Sequence, residues 1–433
     1  MSGMDLIERF TSRRFVPGGG RTPFACPIRS IVVADDLDGA EQNLVGGLGL
    51  GDSLAVVSDE NTYDVLGRRV ARALGATSVV LDRPHAGEVT ADQLAQRTRD
   101  ADALVAVGSG TLNDLCKHVG HRTGRPCVVF GTAPSMNGYT TSSASISREG
   151  YKLSLPAQAP LAVFLDLTVL AEAPVRMIRA GLGDVLCRST AQVDGLLSHY
   201  LLDTPYAEDP FAVQMADEQI LLAHAAGLPE GEREAIRALV RLLVLSGLGM
   251  LLAGSSRPGS MGEHGISHYL DMLLQPHPGS LHGEQVGVTS LTMARLQAEV
   301  FSARTAPRLR PGSIDLDAIR RRYGPLADEA LSVMRAKALD SNRAASLNER
   351  LEMQWPAMRK LLDRALPPER VEQALVAAGA ATRPEQLGID PGFYREAVLH
   401  AREIRDRYSA LDLAADAGLL EGFVEHEHRP DLI

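Results

Sequence analysis

The run Ala103-Leu104-Val105-Ala106-Val107 is closed at once by Gly108-Ser109-Gly110-Thr111 and continues into Leu112-Asn113-Asp114-Leu115-Cys116-Lys117. A short apolar run bounded by glycine reads as a strand buried on both faces. The glycine turn then opens a helix, the step from which parallel sheets are built. Glycines there let the backbone approach an anion, and the N–H groups of a helix start attract phosphate. A tight strand-to-helix turn without a ligand accounts for the pattern equally simply. Its place at the carboxyl end of a parallel strand favours a nucleotide.

The same alternation extends in both directions. Strands are expected at 31–34, 53–58, 77–81, 127–130 and 161–166, with helices at 38–48, 63–74 and 90–100. This predicts a mostly parallel sheet with helices on both faces. Residues 1–27 are expected to be irregular, because Pro17-Gly18-Gly19-Gly20 opposes regular structure. After Asp166 the pattern becomes long and helical, rich in Ala, Leu and Arg, with loops at 254–262, 276–283 and 306–312. The boundary is placed near 171, where Pro174 suits the first turn of a helix. Residues 1–171 then form an α/β nucleotide-binding domain and 172–433 a helical metal- and substrate-binding domain. Residues 310–433 carry amphipathic helices without a chemical motif.

A length of 433 residues exceeds one ordinary core, which also argues for two domains. Forty-four basic and fifty-four acidic residues give a net charge of −10, and aromatics are only 4%. A nucleic-acid binder would show the opposite balance. No apolar run is expected to reach the ~20 residues of a membrane span. Arg9, Arg13 and Arg14 are not followed by the apolar core of a secretory signal. Cys26, Cys116, Cys127 and Cys187 show no CxxC spacing and read as reduced, buried thiols of a cytoplasmic protein. No nucleic-acid or membrane partner is expected, and a homo-oligomer is.

Three further segments carry chemistry. Gly131-Thr132-Ala133-Pro134-Ser135-Met136-Asn137-Gly138-Tyr139-Thr140-Thr141-Ser142-Ser143 follows a strand and offers hydroxyls to a pyrophosphate or nicotinamide ribose, or forms a solvated loop. Val56-Val57-Ser58-Asp59 ends a strand in an acid that suits an adenosine ribose and repels a 2′-phosphate, favouring NAD over NADP. Asp59 as a helix cap serves equally well. Between Gly247 and Glu284 stand His264, His268, His277 and His282, four of the twelve histidines. With Asp184 of Ala180-Gly181-Leu182-Gly183-Asp184 upstream, the set Asp184, His264 and His282 would leave a metal position open to substrate. Zn²⁺ fits best, while two His and one carboxylate also suit Fe²⁺, and Ni²⁺ stays open. Asp184 as a helix N-cap is the bland alternative. Glu263 and Glu284 stand ready to orient the imidazoles. His268, one turn beyond His264, is placed to touch substrate.

Taken together, GSGTLNDLCK (108–117), GTAPSMNGYTTSSASI (131–146), AGLGD (180–184), GSSRPGSMGEHGISH (254–268) and LHGEQVGV (281–288) resemble the sn-glycerol-1-phosphate dehydrogenases. These lie within the iron-containing alcohol dehydrogenase and dehydroquinate synthase-like superfamily. The resemblance implies a Rossmann-like N-terminal nucleotide-binding domain, an all-α C-terminal domain and an active site in the cleft between them. It implies that Gly108, Ser109, Gly110, Thr111 and Leu112 hold the pyrophosphate, and that Thr132, Ser135 and Thr141 line the nicotinamide side. Asp184, His264 and His282 would ligate the metal and His268 would contact substrate. The family aspartate that touches the polyol is Asn137 here, and Arg188 and Gly195 replace a frequent lysine and tryptophan.

The expected reaction is metal-assisted hydride transfer between NAD or NADP and a small phosphorylated polyol, interconverting dihydroxyacetone phosphate and sn-glycerol 1-phosphate. Asp184, His264, His268 and His282 form its catalytic set. Lys152, Arg257 and Ser256 are candidates to hold the phosphate, and Asn137 to meet a hydroxyl. A dehydrogenase of another polyol or a phosphonate, a sugar-phosphate cyclase of the dehydroquinate synthase type, and a non-catalytic sensor remain as alternatives. The lysine-rich substrate segment of such cyclases is missing.

Overall fold

In the computed structural model, which describes residues 5–148 and 151–427, the quoted strand forms as β4 (Ala103–Gly108), buried along its whole length. Five more strands join it: β1 (Ser30–Ala34), β2 (Leu54–Asp59), β3 (Thr77–Leu81), β5 (Cys127–Gly131) and, beyond a hairpin, β8 (Ala162–Asp166). All pairings are parallel, in the order β1-β8-β5-β4-β2-β3. Burial follows position. β4, β5 and β8 are covered on both faces, while the edge strands β1 and β3 are only partly buried. The central strands are accordingly continuous apolar runs. The chain moves from β2 to β3 on one side and then crosses to β4 on the other. The carboxyl ends of β2 and β4 therefore flank the topological switch point at which open α/β sheets bind ligands.

Packing divides the chain into two units, Met1–Val185 with Glu208–Ser256, and Leu186–Ala207 with Arg257–Ile433. The first holds the sheet together with two helices from beyond residue 171, Asp209–His224 and Arg233–Ala253. The helix Val175–Leu202 supplies residues to both units. The second unit is helical, with Gly262–Leu273 and His282–Ser302 at its centre and a run of shorter helices from Leu316–Tyr323 to Leu420–Glu427.

Several expectations are corrected. Residues 6–11 form a helix whose first turn is capped by Asp5 Oδ1 on the Ile7 N–H at 3.0 Å. Phe10, fully buried, stacks on Phe15 with centroids 4.1 Å apart, so this segment belongs to the core. The helix expected at 38–48 is reduced to Glu41–Gly46, and that at 90–100 spans Glu88–Arg97. The helix expected at 63–74 starts earlier, at Glu60, and carries a wide turn over Tyr63–Gly67 before Arg68–Leu74. An antiparallel hairpin, β6 (Ser143–Arg148) with β7 (Tyr151–Pro156), occupies a stretch for which no strand was expected. Arg233–Ala253 is long and apolar enough to cross a membrane, contrary to the reading that no such run exists. Within its most apolar stretch 78% is buried, as in a core helix.

Glycines explain how that helix packs. A Cβ on Gly247 would lie 2.1 Å from Thr140 Oγ1 and 2.6 Å from Asn137 O. Only a glycine lets the helix backbone come this close to the 3₁₀ turn Asn137–Thr140.

Candidate functional site

Gly108 and Gly131 are register partners at the carboxyl ends of β4 and β5, so the glycine turn and the 131–141 segment lie side by side. The Thr132 N–H donates to Gly108 O at 3.2 Å, and the hydroxyls of Ser109 and Ser135 are hydrogen-bonded to each other. The helix Gly110–Thr123 starts here without a side-chain cap, which leaves its first turn suited to an anion. Asp59 ends the adjacent strand β2. Its Oδ1 accepts from the Thr62 N–H at 2.7 Å while the Thr62 hydroxyl accepts from the Asp59 N–H at 3.0 Å, so it caps its own helix.

Lys117, fully buried, organises the floor of this edge. Its ammonium donates to Gly138 O (2.8 Å), Thr141 Oγ1 (2.9 Å) and Ser143 O (2.6 Å), and pairs with Asp114 Oδ1 at 3.2 Å. Asp114 Oδ2 in turn accepts from the Ser145 N–H of β6 at 2.9 Å. Three partners and a carboxylate offset the cost of burying the charge. Thr141 is thereby drawn into the scaffold. The Tyr139 hydroxyl donates to Ala133 O at 2.7 Å, and its burial pushes the phenol well above its usual range.

Asp184 lies in mid-helix, in Val175–Leu202, and is therefore no N-cap. Its Oδ2 accepts from the Asn137 N–H at 2.7 Å. That approach depends on Gly181, where a Cβ would stand 1.8 Å from Pro134 O. Two motifs far apart in sequence thus meet within the first unit. The buried Asn137 Nδ2 has no acceptor among the described residues. Lys152 sits on β7, opposite Ser147.

In the second unit the helical spacing brings three imidazoles together. Centroids of His264 and His282 are 5.1 Å apart, His268 and His282 5.8 Å, and His264 and His268 6.2 Å. Each ring of the expected ligand pair is oriented through Nδ1. His264 Nδ1 lies 3.1 Å from Glu263 Oε1 and, against that carboxylate, carries the proton. His282 Nδ1 lies 3.2 Å from Ser267 Oγ, whose own proton is spent on Gln285 Oε1 at 2.7 Å, so this Nδ1 is also the donor. Gln285 is held in that orientation because its Nε2 donates to Asp271 Oδ1 at 3.0 Å and Ser280 Oγ at 3.0 Å. Both assignments make Nε2 the lone-pair nitrogen, as a metal requires. His277 stays outside the cluster, with its Nδ1 accepting from the Gly279 N–H at 3.0 Å and its Nε2 3.4 Å from Asp271 Oδ1.

Glu263 is the centre of this support. Burial alone would raise its carboxyl, but its bond and charge pairing with His264 and the Met261 N–H (2.6 Å) hold it below the ordinary range. Cys187 joins it: Cys187, Glu263 and His264 place ligand atoms within 4.8 Å of one another. The Cys187 thiol donates to Gly259 O at 3.4 Å, so this set is the wall behind His264. Beneath the start of the same helix, Asp194 accepts from Gly262 N (3.1 Å), Gln297 Nε2 (2.9 Å) and Ala410 N (3.0 Å). Burial and the neighbouring Glu263 charge push its carboxyl up to about 8. Sequence reasoning missed Ser267, Cys187 and Asp194, and it took Lys117 and Gln285 only as letters of a motif. No local pattern distinguishes them from core residues.

The comparisons with known proteins bear on the family and the fold. Residues 32–174 match the family model of iron-containing alcohol dehydrogenases. In fold the chain is similar to the glycerol dehydrogenase of Schizosaccharomyces pombe, with a TM-score of 0.60 at 16% identity, covering 92% of this chain and 90% of that one. It is likewise similar to the sulfoacetaldehyde reductase of Bifidobacterium kashiwanohense in complex with NAD⁺, with a TM-score of 0.62 at 15% identity, covering 95% and 100%. In sequence it is 31% identical over 376 residues to the glycerol-1-phosphate dehydrogenase [NAD(P)+] of Geobacillus stearothermophilus, covering 83% of this chain and 86% of that one. The enzyme of that name from Pyrococcus furiosus is 33% identical over 272 residues, or 62% of this chain and 78% of its own. The chain belongs to the glycerol-1-phosphate dehydrogenase family, of the metal-dependent alcohol dehydrogenase type.

Proposed function

We propose that this protein interconverts dihydroxyacetone phosphate and sn-glycerol 1-phosphate by hydride transfer with NAD(P), using one divalent metal. The observation that carries the reading is the His264–His282 pair, each ring fixed through Nδ1 so that Nε2 carries the lone pair a cation would take. Asp184, His264 and His282 would hold the metal, with Zn²⁺ preferred over Fe²⁺ or Ni²⁺ by the donor set. Bound there, it would polarise the carbonyl and stabilise charge on its oxygen. The turn Gly108, Ser109, Gly110, Thr111 and Leu112 would take the pyrophosphate on its N–H groups. Thr132, Ser135 and Thr141 would border the nicotinamide. Asp59 keeps NAD slightly ahead of NADP, although its Oδ1 already serves as a cap.

His268, beside the ligand pair, is assigned the proton at the substrate oxygen, a task suited to imidazole near neutral pH. Lys152 and Arg257 are the candidates for the substrate phosphate. We take residues 1–171 as the nucleotide half and place the protein in a reducing, cytoplasmic setting, because none of its four cysteines forms a disulfide.

The assay is metal-loaded protein with NADH or NADPH and dihydroxyacetone phosphate, followed by absorbance of the reduced cofactor. Oxidation is expected, and its absence with both cofactors would remove the reading. Asn137 supports a second reading, another polyol. Its buried amide N–H calls for an acceptor on the substrate, and leaving it unmet costs about 1–3 kcal/mol. Faster oxidation with unphosphorylated dihydroxyacetone than with its phosphate would favour that reading.

A further inference from the structure

Two ties hold the helix that carries His264 against the helix that begins at His282. In one, Ser267 Oγ donates to Gln285 Oε1 and Gln285 Nε2 donates to Asp271 Oδ1. The other lies on the opposite side of His264 and runs through a third helix. Asp194, fully buried in Val175–Leu202, accepts from the Gly262 N–H through Oδ2 at 3.1 Å. Through Oδ1 it accepts from Gln297 Nε2 at 2.9 Å. Gly262 begins the His264 helix, and Gln297 stands on the His282 helix. His264 therefore sits between the two ties, just after Gly262 and just before Ser267.

The second tie meets a need of the helix itself. The first N–H groups of a helix have no partner within it, and no side chain caps this start at Met261. Asp194 supplies the acceptor for Gly262 from outside. Thr190, one turn earlier on the same face of Val175–Leu202, adds a second rung. Its hydroxyl lies 3.1 Å from Glu263 Oε2, on the carboxylate that orients His264, and its carbonyl accepts from Gln297 Nε2 at 3.0 Å. Gln297 thus spends both amide hydrogens on this one face. The fit is close. A Cβ on Gly262 would lie 2.9 Å from Asp194 Oδ2 and 2.5 Å from Met293 Cε of the His282 helix. Thr190, Asp194, Glu263 and Gln297 are all buried, so water does not stand in for a lost bond.

We propose that Asp194, supported by Thr190, is a positioning residue for the metal: it sets the register between the two helices that carry the imidazole ligands. It acts through Gly262 and Gln297. With the Ser267–Gln285 tie alone, the start of the His264 helix is free to shift against the His282 helix, and two nitrogens that must converge on one ion lose their spacing. The assignment rests on the metal reading proposed above.

The test uses Asp194→Ala and Gln297→Leu, with Asp194→Asn as the conservative change that keeps one acceptor. Zn²⁺ affinity of the folded protein, read by chelator competition, is expected to weaken about tenfold in the first two and less in Asp194→Asn. The visible spectrum of the Co²⁺ form, which reads ligand geometry, should change in step. Kd for NADH, read by fluorescence, should stay within about twofold. A lower urea midpoint with wild-type metal affinity and spectrum would mean that Asp194 only stabilises the fold. Equal losses of metal and NADH affinity would mean a general loosening. Either result overturns the proposal, as does wild-type protein that binds neither Zn²⁺ nor Co²⁺. Should the wild type hold metal but oxidise no cofactor, the function above fails while these affinities still report on Asp194. If Asp194→Ala does not fold, Gln297→Leu and Asp194→Asn decide.

Discussion

The two regions that carry the candidate residues are built by different means. Around the histidines, charge does the positioning: Glu263 orients His264, and an amide–hydroxyl relay through Gln285 and Ser267 orients His282. At the carboxyl edge of the sheet, close backbone approach does it. Gly108, Gly131, Gly181 and Gly247 each stand where a Cβ would collide with a neighbour, and Lys117 binds two carbonyls and a hydroxyl from below. A cation needs ligands of defined protonation and direction, whereas a dinucleotide needs room and N–H groups. Substitutions in the two regions should therefore fail in different ways.

The largest effect is expected at the ligands. His282→Ala should empty the metal and lower turnover about 10³-fold or more, the equivalent of several kcal/mol of lost Lewis-acid stabilisation. Metal content by elemental analysis and the cofactor assay should fall together, and wild-type values for both would refute the ligand assignment. Glu263→Gln comes next. It keeps the shape but removes the carboxylate behind His264, so metal affinity should weaken about 10- to 100-fold, read by chelator competition. If affinity is unchanged, charge is not what orients that ring.

On the sheet side, Lys117→Met leaves Gly138 O, Ser143 O and Asp114 without their cation. The urea midpoint should drop by the equivalent of about 3 kcal/mol and the cofactor KM should rise, while metal content per folded molecule holds. A loss of metal instead would merge the two regions into one network. Gly247→Ala tests close approach by itself, because Thr140 Oγ1 and Asn137 O cannot both retreat from a new methyl. A destabilisation of about 1–3 kcal/mol is expected in the same titration.

The remaining test concerns pH. Asp194 holds its proton up to about pH 8 in the folded chain, against an ordinary aspartate value near 3.8 when unfolded. The native state then binds more protons between these limits, and stability falls as pH rises through that window. The contribution is complete below about pH 4 and lost above about pH 8. Asp194→Asn, which cannot ionise, should flatten the decline of Tm between pH 5 and 9, whatever its absolute Tm. Parallel curves for the two proteins would show that this carboxyl does not titrate there.

Much of the sheet was legible because its signal is local. Apolar runs of about five residues closed by turn residues identified all six parallel strands, and a fully buried strand has no other simple sequence form. The first helix escaped notice because Leu6–Thr11 is short and lies before a glycine run, yet Phe10 and Phe15 secure it through stacking. The hairpin β6–β7 was hidden by its serines, which satisfy neither a buried-strand nor a helix pattern. Among site residues, His264 and His282 stood out as imidazoles in short polar frames. Ser267 and Gln285 did not, since their roles exist only once two helices bring them within hydrogen-bond range.

Composition and spacing alone determined the layered α/β start, the helical remainder and the chemistry on offer, because those depend on neighbours a few residues apart. Tertiary structure decided which hydrogen each imidazole keeps, why glycine stands at 181 and 247, and that Asp194 joins Gly262 to Gln297. Those are contacts between distant segments, and their energies depend on packing that no local window contains.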